Sequence, residues 1–384
     1  MKSNIWTGLP LAAIALASLA SGAPAQTAKS DPLFHDTSRP KTGTLSGNPM
    51  AKLPANWEAL STFGTRPAYS ADGTKLLMLD QEFGTVYEMD IATRQVRSMT
   101  SHFPNNGFLR AHYLKDGNIL LTGARQMERD EAISRMQFSE IFFLDKSGTK
   151  EAIPLDTRNF EGLAVSRISN RLVWAERSPG AARLALHHNV TGDQPNADEY
   201  VAFFVGDVVY NGGKPAIANK REIYRRLRSD CMAEPQDLRD NDQEVIFSCY
   251  SFHGDVTSKE GAYYDSSVHG VRLDTGKVTD YMRVTGENHE VEGIAPSGRW
   301  TLVECRDIRG GPSLSEVDLC KLDLSDPKKY TRLTTFSDYK GWRINNGVIS
   351  PDGKTMAFML TYATENSTNR LGIYLLHLTP EEQK

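Results

Sequence analysis

Six residues stand immediately before a glycine or proline at the polar approach to a short apolar run: Arg66, Asn106, Glu161, Glu234, Glu292 and Asn346. A glycine or proline there fixes how the chain turns into a strand, so if the six approaches converge, their side chains meet. Glu161, Glu234 and Glu292 would then form an acidic arc. Asn105, Asn106, Asn345 and Asn346 would add neutral amides, and Arg66 a counter-charge. Arg110 and His112, in the run that follows Asn106, join this candidate ligand-binding set. An oxygen-rich arc suits Ca²⁺, Mg²⁺ or Mn²⁺, or a cationic organic ligand. His289, in Gly286-Glu287-Asn288-His289-Glu290-Val291-Glu292, is the histidine best placed to act as a base or metal ligand. His289 and Glu292 are therefore the candidate catalytic pair, and Glu161, Glu234, His289 and Glu292 a candidate site for a divalent Ca, Mn or Zn ion. The plainer alternative is that these side chains cap strand ends and bind water.

Other residues offer less. His102 approaches the second strand run, His253 and Asp255 lie in an insertion, and His187-His188 is a loop pair. The basic stretch Lys220 to Arg228 reads as an outer strand whose charges, on both faces, discourage pairing with another chain. Trp174, Trp300 and Trp342 fit packing positions, whereas Tyr263 and Tyr264 are candidates for an exposed aromatic contact.

The elements that must position these residues repeat. A small or polar approach, a short apolar strand, a turn and a strongly apolar strand recur before KLLMLD, NILLTG, RLVWAE, QEVIFSC, RWTLVEC and KTMAFML. Each copy continues into a strand ending near an acidic residue and, after a turn, another strand, as in TVYEMDI and QVRSMT. Helical periodicity is hard to find anywhere. The last copy ends after LGIYLLHL without a fourth strand, and Trp57 to Thr62, ahead of the first copy, supplies one. The expected fold is all-β: a six-bladed β-propeller of four-stranded antiparallel blades over residues 55–379, its ring closed by an N-terminal strand. Residues 380–384 form a tail. Long insertions at 178–199 and 252–267 are the loops where binding would reside.

The turn Ser350-Pro351-Asp352-Gly353 and its copy Ser70-Ala71-Asp72-Gly73, each between two apolar strands, resemble the repeat of the TolB-type β-propeller family. Similar repeats occur in the propellers of prolyl oligopeptidase-like enzymes and oligogalacturonate lyases. The resemblance implies the propeller fold and says little of function. TolB carries an α/β domain before its propeller, for which residues 26–54 are too short. No G-x-S-x-G elbow of a prolyl oligopeptidase-type hydrolase occurs, and the multi-histidine metal motif of the lyases finds no match.

Met1 to Ala25 reads as a signal peptide, with Lys2, the apolar run Leu9 to Leu19 and Ala23-Pro24-Ala25 as a cleavage site. Residues 26–54, rich in Ser, Thr, Pro and Gly, read as a flexible lead-in. The expected location is the periplasm or outside the cell, with no transmembrane anchor. There the four cysteines pair: Cys231 with Cys249 about the turn Asp240-Asn241-Asp242, and Cys305 with Cys320 about Arg309-Gly310-Gly311-Pro312. A Cys₄ zinc site is the rival, without a C-x-x-C to support it. The 384 residues carry 44 basic and 48 acidic side chains, a net charge of −4 spread along the chain. No basic field exists to hold nucleic acid. The first functional expectation is a non-catalytic monomer binding a small molecule, glycan or envelope protein at its funnel. The alternative is a metal-assisted lyase, hydrolase or isomerase at the same place.

Overall fold

A computed structural model describes residues 43–129, 131–179, 198–253, 263–284, 287–307, 316–364 and 367–384. The expected signal peptide, His187, His188, Asp255 and the side chains of His253, Tyr263 and Tyr264 lie outside that description.

The chain is a six-bladed propeller, each blade a four-stranded antiparallel sheet. After β1 (Trp57–Ala59), blade one is β2 (Thr65–Tyr69), β3 (Lys75–Leu79), β4 (Val86–Asp90) and β5 (Val96–Ser98). Blade two is β6 (Phe108–Tyr113), β7 (Ile119–Ala124), β8 (Ser139–Leu144) and β9 (Ile153–Arg158), with the helix α1 (Glu131–Phe138) between β7 and β8. Blade three is β10 (Leu163–Val165), β11 (Arg171–Arg177), β12 (Tyr200–Asn211) and β13 (Lys214–Leu227). Blade four is β14 (Met232–Arg239), β15 (Glu244–His253), β16 (Tyr263–Arg272) and β17 (Val278–Met282). Blade five is β18 (Glu287–Ile294), β19 (Trp300–Asp307), β20 (Asp318–Asp323) and β21 (Tyr330–Arg332). Blade six is β22 (Trp342–Ile349), β23 (Thr355–Ala363) and β24 (Thr368–His377), completed by β1, with Trp57 opposite Leu376.

The turns explain why the repeats read as they do. Ser350 Oγ donates to Asp352 Oδ1 at 2.6 Å, and the same oxygen accepts from Lys354 N at 3.0 Å. Gly353 takes a φ of +72°, which a side chain rarely adopts. Ser70, Asp72 and Thr74 repeat the arrangement at 2.7 and 3.0 Å in blade one. These hydrogen bonds to the carboxylate pull the Asp72 pKa down to about 2.

Apolar strand faces pack blade against blade. Leu77, Leu79 and Val86 of blade one meet Phe108, Leu121 and Phe142 of blade two, and Trp174 and Trp300 are fully buried. Blade three reaches further, because β12 and β13 outgrow their neighbours. Val208 enters the blade-two cluster, and Tyr210 Oη donates to Asp116 Oδ2 at 2.5 Å. The basic stretch lies in the outer strand β13, where Lys220 pairs with Glu176 at 2.6 Å and Arg225 with Glu222 at 2.6 Å.

Both cysteine pairs are disulfides, Cys231–Cys249 and Cys305–Cys320, with Cα atoms 5.4 and 5.9 Å apart. The described part of the lead-in is packed: Leu45 bridges Tyr339, and Met50 and Leu53 rest on the blade-six core. Tail residues contact blade five, where the Gln383 carbonyl accepts from Trp300 Nε1 at 3.3 Å. No helix among the described residues is long and apolar enough to cross a membrane.

Candidate functional site

The first strand of each blade runs from its approach residue to the turn, and the second runs back. The approach residues, the β3–β4 loop carrying Glu82, and α1 therefore share one end of the ring. At that end the inner strands are irregular: their register breaks between Thr65 and Ala68, Phe108 and Arg110, Pro235 and Asp237, Val291 and Gly293, and Asn345 and Val348. Bulges re-aim side chains at barrel and propeller mouths. Arg66, Glu161 and Asn346 hold φ of +52°, +56° and +51°. A left-handed backbone at a non-glycine residue costs about 1 kcal/mol or more, so three blades carry strain at the same level of the channel.

The side chains so aimed form two sectors. In the first, Arg66 pairs with Glu82 at 2.8 Å, Arg135 bridges Glu82 and Glu161 at 2.7 and 2.5 Å, and Arg110 pairs with Glu234 at 2.9 Å. The hydroxyl of Tyr250 adds a donor to Glu234 at 3.2 Å. Burial, reinforced by Arg110 and Arg135, lowers the Arg66 pKa, whereas Glu161 and Glu82 hold that of Arg135 up against burial. Burial and the neighbouring Glu161 push Glu234 upward.

The second sector is built on three carboxylates, with the Tyr250 hydroxyl beside Glu290. Oxygens of Glu290, Glu292 and Glu304 lie within 4.8 Å of one another. Glu304 is fixed from blade six by Asn345 Nδ2 at 2.9 Å and Asn346 N at 2.8 Å. Burial, Glu304 and Glu234 raise the Glu290 pKa to about 8, and burial, Glu304 and Glu290 raise that of Glu292 well above the usual carboxylate range. The Oε1 atom of Glu292 is buried without a hydrogen-bond partner. Toward the turn end of the channel lies a cavity of about 120 Å³ lined from all six blades, by Ala68, His112, Val165, Arg167, Gln236, Glu292 and Val348 among others; of the trio only Glu292 reaches it. His112 Nε2 is likewise buried and unpartnered, and burial together with Arg110 and Arg66 depresses its pKa to about 3. His112 is thus a neutral imidazole.

The mouth thus brings together Arg66, Arg110, His112, Glu161, Glu234, Glu292, Asn345 and Asn346. It does not bring in His289 or Asn106. The buried His289 ring is held between Glu287, 2.9 Å from Nε2, and the Tyr330 hydroxyl, 3.1 Å from Nδ1. The pleat sends it to the opposite face of β18 from Glu290. Asn106 caps its own blade, donating to the Ala124 and Arg125 carbonyls at 3.1 and 3.0 Å, and Asn105 donates to Thr100 and Phe103. In blade two the bulge, and with it Arg110, stands at the channel instead. Glu82, Arg135, Tyr250 and Glu304 escaped sequence reading. Only Glu304 left a signal: the turn around Ser297 is equidistant from Glu290 and Glu304, which places them opposite one another.

One further constellation has the connectivity of a nucleophile, base and acid. Ser267 Oγ lies 2.7 Å from His269 Nε2, and His269 Nδ1 lies 2.6 Å from Asp280. Ser267 is 3% exposed and His269 stacks on Phe247 inside the core between blades three and four. A hydroxyl so enclosed meets no substrate, and the relay ties β16 to β17.

No family model matches the chain, and no curated protein matches it. Solved structures with a similar course of chain include an oligogalacturonate lyase from Vibrio parahaemolyticus, 13% identical, over 85% of this chain and 94% of that one, with a TM-score of 0.48. A gluconolactonase from Xanthomonas campestris is 12% identical over 84% and 89% of the two chains, with a TM-score of 0.48. TolB from Acinetobacter baumannii is 13% identical over 86% and 74%, with a TM-score of 0.42. These likenesses are of chain course, and they include both enzymes and TolB.

Proposed function

We propose that the chain is an exported, TolB-like binding propeller that receives a small polar molecule or glycan at this mouth. One observation carries the reading: charged side chains from blades one, two, three and four converge on one end of the channel as preformed ion pairs, beside the blade-five carboxylates. Preformed ion pairs at the channel mouth lower the ordering cost of binding a polar ligand. Arg66, Arg110, Glu161, Glu234 and Glu292 are the ligand-facing groups in this reading, with Asn345 and Asn346 supporting them and His112 at the base. Export rests on the signal-like leader and on the paired cysteines.

The alternative is a metal-assisted lyase, hydrolase or isomerase, and the carboxylate trio favours it over a site built on His289. Hard oxygen donors suit Ca²⁺ or Mn²⁺, and a carboxylic acid that stays protonated near neutrality can act as a general acid. Screening glycans and polar metabolites by calorimetry, against the native chain and Arg66→Ala, tests the binding reading. Saturable binding weakened by the substitution supports it, and binding indifferent to Arg66 and Glu292 sinks it. Turnover of any bound compound that requires stoichiometric metal would establish the alternative.

A further inference from the structure

The turn end of the channel, opposite the mouth, carries its own charges. Lys115 and Arg167 each stand two residues past the first strand of their blade, and Asn170 Nδ2 ties these neighbouring turns together through Asp116 Oδ2 at 3.2 Å. Both side chains line the cavity of about 120 Å³. Arg167 is braced by Asp237, whose Oδ2 accepts from Arg167 Nη2 at 2.7 Å and from Ile294 N at 2.9 Å. Lys115 is exposed and has no ion-pair partner among the described residues. Toward the mouth the same cavity is lined by polar atoms that nothing satisfies. Gln236 and Glu292 occupy the register breaks of β14 and β18, where a bulge re-aims a side chain. Gln236 is 9% exposed, and its Nε2 has no hydrogen-bond partner. His112 Nε2 has none either, nor has Oε1 of Glu292, whose carboxyl group is otherwise engaged by Glu304. Buried polar atoms without partners are uncommon and call for a missing group.

We propose that the turn end of the channel binds a short hydroxy acid, its carboxylate at Lys115 and Arg167 and its hydroxyl among Gln236, His112 and Glu292. The site lies apart from the ion pairs of the mouth and goes beyond the reading of that mouth. Lys and Arg hold a carboxylate by charge-assisted hydrogen bonds, and Asp237 takes only part of the five-donor guanidinium of Arg167. A hydroxyl suits the inner end because it both donates and accepts. It satisfies an amide, an imidazole and a carboxyl oxygen whichever tautomer or protonation state each holds. An ammonium there would leave the Gln236 donor unmet, and a second carboxylate would face Glu292. Size narrows the class. The cavity of about 120 Å³ is well under the roughly 300 Å³ or more of a drug-sized pocket, which limits the ligand to about three or four carbons. Its wall includes Ala68, Leu114, Val165, Val348 and Ile349, which suit methylenes.

Calorimetry on the purified chain in EDTA, with 4-hydroxybutyrate and glycerate as probes, tests this. At least one should bind saturably with a Kd of about 1 mM or tighter. Butyrate, which lacks the hydroxyl, and 1,4-butanediol, which lacks the charge, should each bind about tenfold more weakly or not at all. Lys115→Gln, at an exposed side chain, and Gln236→Met, at an unpartnered one, should each weaken binding about tenfold. Thermal melting shows whether the variants fold. No saturable binding of either acid, equal binding of butyrate or of inorganic phosphate, or binding indifferent to both substitutions overturns the proposal. The compounds are compared on the unsubstituted chain, so a variant that fails to fold does not block the test.

Discussion

Glu290 and Glu304 stand directly opposite each other across β18 and β19, two like charges paired in register at the channel mouth. Such a pair is unfavourable in a sheet. The fold retains it by keeping protons on the cluster and by anchoring Glu304 to Asn345 and Asn346.

Stability should therefore fall as pH rises from about 5 to about 8. Glu290 and Glu292 bind protons more tightly folded than unfolded, so their contribution is complete below the ordinary glutamate pKa and is lost as pH climbs through the folded value, about 8 for Glu290. The groups facing Glu290 are Glu292, Glu304, Glu234, Arg110 and Tyr250. Glu290→Gln should flatten this dependence and gain about 1–3 kcal/mol at pH 8. Chemical denaturation across that pH range checks it, and an unchanged slope in the variant would refute it.

Arg110→Ala should destabilise the chain by about 3–5 kcal/mol, because Glu234 is left buried without its counter-charge. Adding Glu234→Gln should recover much of that loss. A double-mutant cycle in urea measures the coupling, and additive losses would show that the pair is not acting as one unit.

Asn346→Gly should stabilise the fold by about 0.5–1 kcal/mol, since φ of +51° suits glycine. The Asn346 N–H that holds Glu304 is retained. A thermal shift upward accompanied by weaker ligand binding would mark strain kept for function, whereas destabilisation would mean the side chain contributes more than its backbone costs.

The Ser267–His269–Asp280 relay, buried at Ser267 and His269, makes an opposite prediction. Ser267→Ala should leave any hydrolysis by this protein untouched, while Asp280→Asn should cost about 1–2 kcal/mol by weakening the link from β16 to β17. Loss of a measured hydrolytic activity in Ser267→Ala, with the fold intact, would make the relay catalytic.

Architecture was legible because its signals are local. Turns such as Ser350 to Gly353 and the alternation of each strand repeat six times, and the missing last strand pointed to Trp57 to Thr62. The cysteine pairs followed from hairpin centres. Arg66, Glu161, Glu292 and Asn346 were found at the mouth because each precedes the Gly or Pro of its own repeat. Arg135 could not be found this way, since it reaches Glu82 and Glu161 from an eight-residue helix too short to show a period. Placing Asn106 in the ring assumed equal approaches, whereas the blade-two bulge lies nearer Arg110. His289 turned away because one residue along a strand reverses the face, and proximity in sequence to Glu290 does not give proximity in space.

Blade six joins the two ends of the chain: Asn56 Nδ2 reaches the His377 carbonyl across 321 residues of sequence. Loop closure over that span comes late in folding. While the chain is made from its N-terminus, β1 has no partner until β24 emerges. A truncated product would therefore present an open sheet edge at both sides of the gap. The closing strand acts as a completeness check, through which only a full-length chain hides its last backbone amides from proteases and from other chains.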